Sequence, residues 1–313
     1  MKKLFENWRR FTEQEEPNYG YIVGDLQGEI YAAQNEDELF YGASMNKPII
    51  ALANLILYKD RPEKQLNSKE LRGLLAYTYP YESNDVNRVL SGRSPRKPCL
   101  VGKNCCGDAG YTPSRKRRKA GETKCTKREM KVWGPDASRT TRVQSPRLYK
   151  KKIEIYDELV QRKKEIGRIT PRGALKFLKQ HGLNTEMLIT YGGPRRNKQS
   201  AKSFFEFLSF LHDASRISGI EKEVGIIINH MKREPIGLKR TDREAKKWQA
   251  LVDRLNEEGV SVKSIYGKGG RTDNALNYGF VINNNIVLSI YTDRDDRKFL
   301  TNKVVEILKG VKF

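Results

Sequence analysis

Along the chain the spacing of apolar positions alternates between helical and strand periods, and each change marks a different kind of element. Residues 4–11 carry apolar side chains at helical spacing. From Tyr19 the pattern alternates, breaks at Gln27-Gly28 and resumes at Ile30, as in a β-hairpin. Residues 44–57 are almost continuously apolar, which predicts a helix buried on most of its faces, with Ser44 at its start. Helical spacing also predicts helices over 68–77, 83–90, 153–166, 171–181, 200–214, 220–231 and 242–258. After Val260 the period falls to two, giving strands over 262–266, 275–282 and 286–292. Asn283-Asn284-Asn285 joins the last two, and 296–309 closes the chain as an amphipathic helix.

This order predicts an α/β (α+β) protein: an antiparallel sheet flanked by N- and C-terminal helices, plus an all-helical lobe. Residues 1–43 and 259–313 are expected to form the sheet lobe and 44–258 the helical lobe, with a cleft between the two. Residues 91–150 interrupt the helical block as an insertion rich in Gly, Pro, Ser, Lys and Arg, and they predict neither helix nor strand.

Charge sharpens this partition. Of a formal net charge of +22, about +13 falls in residues 91–150, with an unbroken basic run over 115–119. Such a field favours a polyanion, whether nucleic acid or an anionic glycan. A solvated loop that binds nothing is the alternative. All four cysteines, Cys99, Cys105, Cys106 and Cys125, lie in this segment at spacings that fit no paired Cys-x-x-Cys zinc motif. Reduced thiols or local disulfides are expected, with zinc the competing possibility; neither a metal nor a cofactor is assigned. The charged N-terminus resembles no signal peptide and no stretch is apolar enough to span a membrane. The expectation is a cytoplasmic protein as synthesised, or a virion-associated one if phage-encoded.

Candidate chemistry starts at Ser44-Met45-Asn46-Lys47-Pro48, which sets a hydroxyl and an amine three residues apart, on one face if the segment is helical. A lysine activates a serine only when its surroundings favour the neutral amine, and the apolar run behind Lys47 meets that condition. A helix N-terminus offers the Ser44 amide to developing negative charge. Downstream, Tyr81-Glu82-Ser83-Asn84-Asp85-Val86-Asn87 gathers hydroxyls and amides at a helix start, and Lys268-Gly269-Gly270 lies on a strand ahead of two more. Singly, each also reads as ordinary structure: a helix cap with a surface lysine, an N-cap, a turn.

In sequence, these three segments resemble the signature elements of the serine β-lactamases and penicillin-binding D-Ala-D-Ala peptidases: Ser-x-x-Lys, Ser/Tyr-x-Asn and Lys-Thr/Ser-Gly. The layout is most similar to class A β-lactamases and covers nearly the whole chain outside 91–150. The resemblance implies a β-lactamase/transpeptidase-like fold and an acyl-enzyme formed with a β-lactam or a peptidoglycan-type peptide. It implies that Ser44 is acylated, that Lys47 takes its proton, and that Tyr81 hands a proton to the leaving nitrogen. Ser83 then replaces the family asparagine and Asn87 supports it one turn on; the competing register makes Ser83 the hydroxyl and puts Asp85 in the asparagine's place. Lys268 would hold the substrate carboxylate, Gly270 would let substrate lie along the strand, and the Arg271 amide would complete an oxyanion hole. Gly269 stands where the family has Thr or Ser, so Thr272 or Arg271 would have to replace that contact. The family's deacylating glutamate has no good counterpart, since residues 184–198 offer only Glu186. The expected activity is therefore that of a peptidase or slow acyl-enzyme former. The competing functions are a related amidase such as a serine-dependent glutaminase, or a catalytically weak scaffold that binds a polyanion through its insertion. His181, His212 and His230 read as packing or surface residues.

Overall fold

A computed structural model describes residues 17–76, 83–100, 140–143, 146–187, 197–214, 219–232, 243–272 and 275–311. The expected helix at 4–11 and most of the basic insertion lie outside them. The chain divides into two compact units, Met1–Ile49 with Leu175–Phe313, and Ile50–Ala174.

The first unit is built on five antiparallel strands: β1 (Tyr19–Asp25), β2 (Ile30–Gln34), β7 (Ile265–Thr272), β8 (Ala275–Ile282) and β9 (Ile286–Thr292), in the order β2-β1-β9-β8-β7. Local chemistry fixes the β1–β2 and β8–β9 hairpins. Asp25 Oδ1 accepts from the amides of Gln27 and Glu29, each at 2.9 Å, which closes the β1–β2 turn. Asn283 and Asn284 take φ of 53° and 56°, left-handed values that Asn tolerates, in the three-residue connection between Ile282 and Ile286. Helix α6 (Ala201–Ala214) covers one sheet face: the Phe204 ring occupies the space where Gly279 would carry a side chain, and Phe205 packs at Gly24. The other face meets helices α8 (Arg243–Glu257) and α9 (Arg297–Gly310), where Trp248, Leu255, Phe280, Leu288 and Val304 form one buried cluster. Asp296 caps α9 by accepting from the Phe299 amide at 2.9 Å. Helix α7 (Glu221–Met231) packs by β7, and β3 (Phe40–Tyr41) pairs with β6 (Lys198–Gln199).

The second unit is mainly helical. It contains most of α1 (Lys47–Leu57), then α2 (Ser68–Leu71) continuing into a π-turn over Arg72–Ala76, α3 (Ser83–Leu90), α4 (Pro146–Glu165) and the start of α5 (Pro171–Gln180). Asn67 caps α2 in a capping box with Glu70. Asn54, fully buried on α1, is satisfied by donating to Gly167 O at 3.1 Å and accepting from the Leu66 amide at 2.8 Å.

Several sequence expectations need correction. Helix α1 begins at Lys47, so Ser44 lies in the preceding turn. Strand β7 runs over Ile265–Thr272 and not 262–266; it carries Lys268-Gly269-Gly270 on a strand as expected, its glycines pairing along the whole length of β8. The interval 91–150 is not featureless: β4 (Lys97–Leu100) pairs in parallel with β5 (Thr140–Val143), and α4 starts at Pro146. Strands of four residues carry too little alternation to be read from pattern. The helices after Leu175 group with the sheet, since both faces of a buried sheet must be covered, whereas a division at 43/44 and 258/259 follows element type alone. No helix among the described residues is long and apolar enough to cross a membrane.

Candidate active site

Ser44 is half-buried in a turn between β3 and α1. The Met45 amide donates to Gly42 O at 2.9 Å and the Lys47 amide to Ser44 O at 3.4 Å, so the chain coils tightly just before the helix proper. Pro48 is tolerated there because a first-turn amide has no helical acceptor. Ala43, immediately before Ser44, takes φ of 45°. A left-handed non-glycine residue costs about 1–2 kcal/mol and persists only where its surroundings hold it.

Those surroundings are specific. The Gly42 amide donates to Asn197 O at 3.1 Å, Asn197 Nδ2 donates to Ala43 O at 3.0 Å, and Asn277 Nδ2 donates to Tyr41 O at 2.8 Å. Gly42 has to be glycine, since a Cβ there would lie 2.6 Å from Gln199 Cδ.

Strand β7 lies directly against this turn. A Cβ on Gly270 would stand 3.1 Å from each of Ser44 N, Gly42 O and Met45 Cγ, so the strand backbone and the Ser44 amide are flush. Side chains alternate along a strand, so Lys268 and Thr272 share the face of Gly270 that meets Ser44. Lys268 is fully buried, and its Nζ donates to Gly269 O at 2.9 Å. The row across the sheet explains how a lysine fits: Lys268 pairs with Gly279, which pairs with Ser289, and the missing Gly279 side chain leaves room for Phe204 and Met45. Lys47, the first helical residue after the turn, is 3% exposed.

Within the first unit the fold thus brings Ser44 and Gly270 into one corner, with Lys268 on the same strand face and buried Lys47 one turn after Ser44. Arg271 points elsewhere: its guanidinium holds Asp295 by two forks, with Nε–Oδ1 and Nη2–Oδ2 both 2.7 Å. Thr272 is half-buried on the Lys268 face. Gly269 has ordinary open surroundings, its nearest would-be neighbour being the Tyr278 ring at 3.5 Å.

In the second unit, Tyr81 and the Ser83 side chain lie outside the described residues, although Ser83 opens α3. Asp85 is buried and engaged by Arg96, whose amide and Nε each donate to Oδ1 at 2.9 Å. Asn87 Oδ1 is buried without a hydrogen-bond donor among the described residues. Glu186 is 98% exposed in its side chain and pairs with Lys179 at 3.1 Å. His181 and His230 direct Nδ1 to the carbonyls of Phe177 and Ile226, one turn back on their own helices. Among the described residues no group of three His, Cys, Asp or Glu could hold a metal ion, and the four cysteine side chains fall outside them.

Sequence reasoning missed Asn197, Gln199, Asn277 and Ala43. Asn197 lies in the interval searched only for a carboxylate, and nothing local marks an amide whose partners are more than 150 residues away.

No family model matches the chain, and no curated protein matches it. Similar solved structures include the carbapenemase VCC-1 from Vibrio cholerae, at 16% identity and a TM-score of 0.48, covering 98% of this chain and 100% of that one. A variant of a reconstructed class A β-lactamase, that of the last common ancestor of Gram-negative bacteria, is 17% identical over 99% of this chain and 95% of its own, with a TM-score of 0.46. A β-lactamase from Desulfarculus baarsii is 15% identical over 99% of this chain and 98% of its own, with a TM-score of 0.43.

Proposed function

We propose that this protein is an active-serine acyl-transfer enzyme that forms an acyl-enzyme with β-lactams or D-Ala-D-Ala-like peptides. The observation that carries this reading is the Ser44 turn, held in a left-handed conformation and pressed against the Lys268-Gly269-Gly270 strand. A serine amide at such a corner and a glycine strand beside it are what acyl transfer needs for orientation and charge stabilisation.

In this reading Ser44 Oγ attacks the substrate carbonyl carbon as its proton passes to Lys47 Nζ. Removing the amine from water favours its neutral form, and Lys47 is almost fully buried. The Ser44 amide, with the Arg271 amide on the neighbouring strand, stabilises the oxyanion. As the oxyanion collapses the carbon–nitrogen bond breaks, the nitrogen takes a proton from the Tyr81 hydroxyl or, in the other register, that of Ser83, and the proton held by Lys47 restores that hydroxyl. The engagement of Asp85 by Arg96 supports the Tyr81 register, because it turns the carboxylate to an internal cation. Lys268 and Thr272 receive the substrate carboxylate. Water completes the cycle by cleaving the Ser44 ester.

Incubation with a fluorescent penicillin followed by intact mass and peptide mapping tests this. One adduct at Ser44 is expected, absent from a folded Ser44→Ala variant, with Lys47→Ala slowing labelling by about 10² as for loss of a general base. An adduct elsewhere, or none between about pH 6 and 10, across which lysine and serine chemistry is sampled, rejects the proposal.

A further inference from the structure

The Ser44 turn needs a clamp, because Ala43 carries a backbone conformation that a residue with a side chain leaves unless held. Asn197 grips it at two successive residues. Its main-chain carbonyl accepts from the Gly42 amide at 3.1 Å, and its side-chain amide donates to Ala43 O at 3.0 Å. Asn197 is itself 2% exposed and anchored from behind. Gln199 Nε2 lies 3.5 Å from Asn197 Oδ1, and the Tyr291 hydroxyl donates to Gln199 Oε1 at 2.8 Å. Gln199 and Tyr291 are both fully buried.

The direction of this chain is forced. Ala43 O can only accept, so Asn197 must present its NH₂ group, which leaves Oδ1 for the Gln199 amide and Gln199 Oε1 for the Tyr291 hydroxyl. One amide orientation therefore satisfies the Ala43 carbonyl and the sheet interior together, which ties the backbone one residue before Ser44 to Gln199 and Tyr291. The Ser44 amide and Oγ inherit their direction from Ala43.

We infer that Asn197 is the positioning residue of Ser44, acting through the Ala43 carbonyl and not on substrate. The inference rests on the acyl-transfer reading for its kinetic consequence but not for the clamp. Removing the donor leaves Ala43 free to relax to an ordinary φ, which swings Ser44 away from Gly270. Displacements of about an ångström at a reacting group cost on the order of 10² in rate.

The test uses the full chain with Asn197→Ala, Asn197→Asp and Ala43→Gly, the last both alone and combined with Asn197→Ala. Asn197→Asp preserves volume and the acceptor for Gln199 while removing the donor, so it stands in should Asn197→Ala unfold. Labelling by fluorescent penicillin is followed against concentration, and amide exchange at Met45, which closes the turn, is followed without any ligand. Expected are a fall of about 10² in the limiting acylation rate for both Asn197 variants, with the half-saturating penicillin concentration moving less than about threefold. Met45 exchange should quicken at least tenfold. Ala43→Gly should recover tenfold or more of the lost rate in the Asn197→Ala background, because glycine holds a positive φ without a clamp. A rate for folded Asn197→Asp within about threefold of the parent, or unchanged Met45 exchange, overturns the inference. A parent protein that takes no label rejects the acyl-transfer reading alone, and the exchange measurement then decides for or against the clamp.

Discussion

Neighbouring glycines 269 and 270 differ in what a single methyl group would meet. At Gly269 a Cβ has only ordinary contacts, with the Tyr278 ring at 3.5 Å. Gly269→Ala should therefore fold normally and gain about 0.5–1 kcal/mol, the usual penalty of glycine inside a strand. At Gly270 the same atom meets Ser44 N, Gly42 O and Met45 Cγ at 3.1 Å, two of them backbone, so strand and turn must part. Gly270→Ala is expected to slow penicillin labelling at least tenfold while lowering stability by no more than about 1–2 kcal/mol, a modest strain of overpacking. Parallel labelling and thermal unfolding of the two variants check this; equal labelling would mean that β7 does not abut the nucleophile. The contrast also shows which residues were legible in sequence. Ser44, Lys47 and Lys268 were singled out by the order of three segments along the chain, whereas Ala43 and Asn197 are ordinary residues whose place lies in a φ angle and a contact that only folding creates.

Elements announced by strong periodicity were predicted close to their observed extents: β8 and β9 match, and α3 spans 83–90 as expected. Pattern failed where short elements or glycine hid the period, at β3, β4, β5, β6 and the glycine half of β7. In the helical unit one contact joins segments far apart in sequence: Arg162 on α4 holds Glu70 of α2 at 2.9 Å and also bonds the carbonyls of Glu63 and Gln65. Glu70 is 1% exposed in its side chain, and burial pushes its carboxyl above the usual range despite the Asn67 amide and the Arg162 guanidinium. Arg162→Ala leaves that carboxyl buried without its cation and should cost about 3 kcal/mol in denaturant unfolding. The sign of its pH dependence follows. A carboxyl raised in the folded state adds stability below its unfolded pKa, and that stability is lost as pH rises through the folded value. The deficit of Arg162→Ala should accordingly be larger at pH 8 than at pH 5; a deficit independent of pH would mean that Glu70 stays ionised throughout.

On the acyl-transfer reading, turnover depends on a base for the deacylating water. From 187 to 198 the sequence holds no carboxylate, and Glu186 faces solvent beside Lys179. A burst of about one equivalent of chromogenic cephalosporin followed by a slow phase is expected; steady turnover above about 10 s⁻¹, the median for enzymes generally, would reveal a base elsewhere.

Two short strands bound most of the insertion. Strands β4 and β5 run parallel, Lys97 beside Thr140 and Leu100 beside Val143, so the chain leaving Leu100 must return the length of the strand before entering Thr140. A parallel pair cannot be closed by a tight turn and needs a crossover of about a dozen residues. Residues 101–139 far exceed that need, and they hold eleven Lys and Arg against four Asp and Glu. Replacing 101–139 with about a dozen Gly and Ser residues should keep β4, β5 and α4 in place and leave Ser44 labelling within about threefold, because Asn197, Asn277 and strand β7 already hold the Ser44 turn. Affinity of the full chain for DNA or an anionic glycan, if carried by these charges, should fall steeply with salt and disappear in the replacement variant. A folded variant that no longer labels would assign the insertion to the active site, and binding that survives the replacement would move the polyanion to the remaining basic surface.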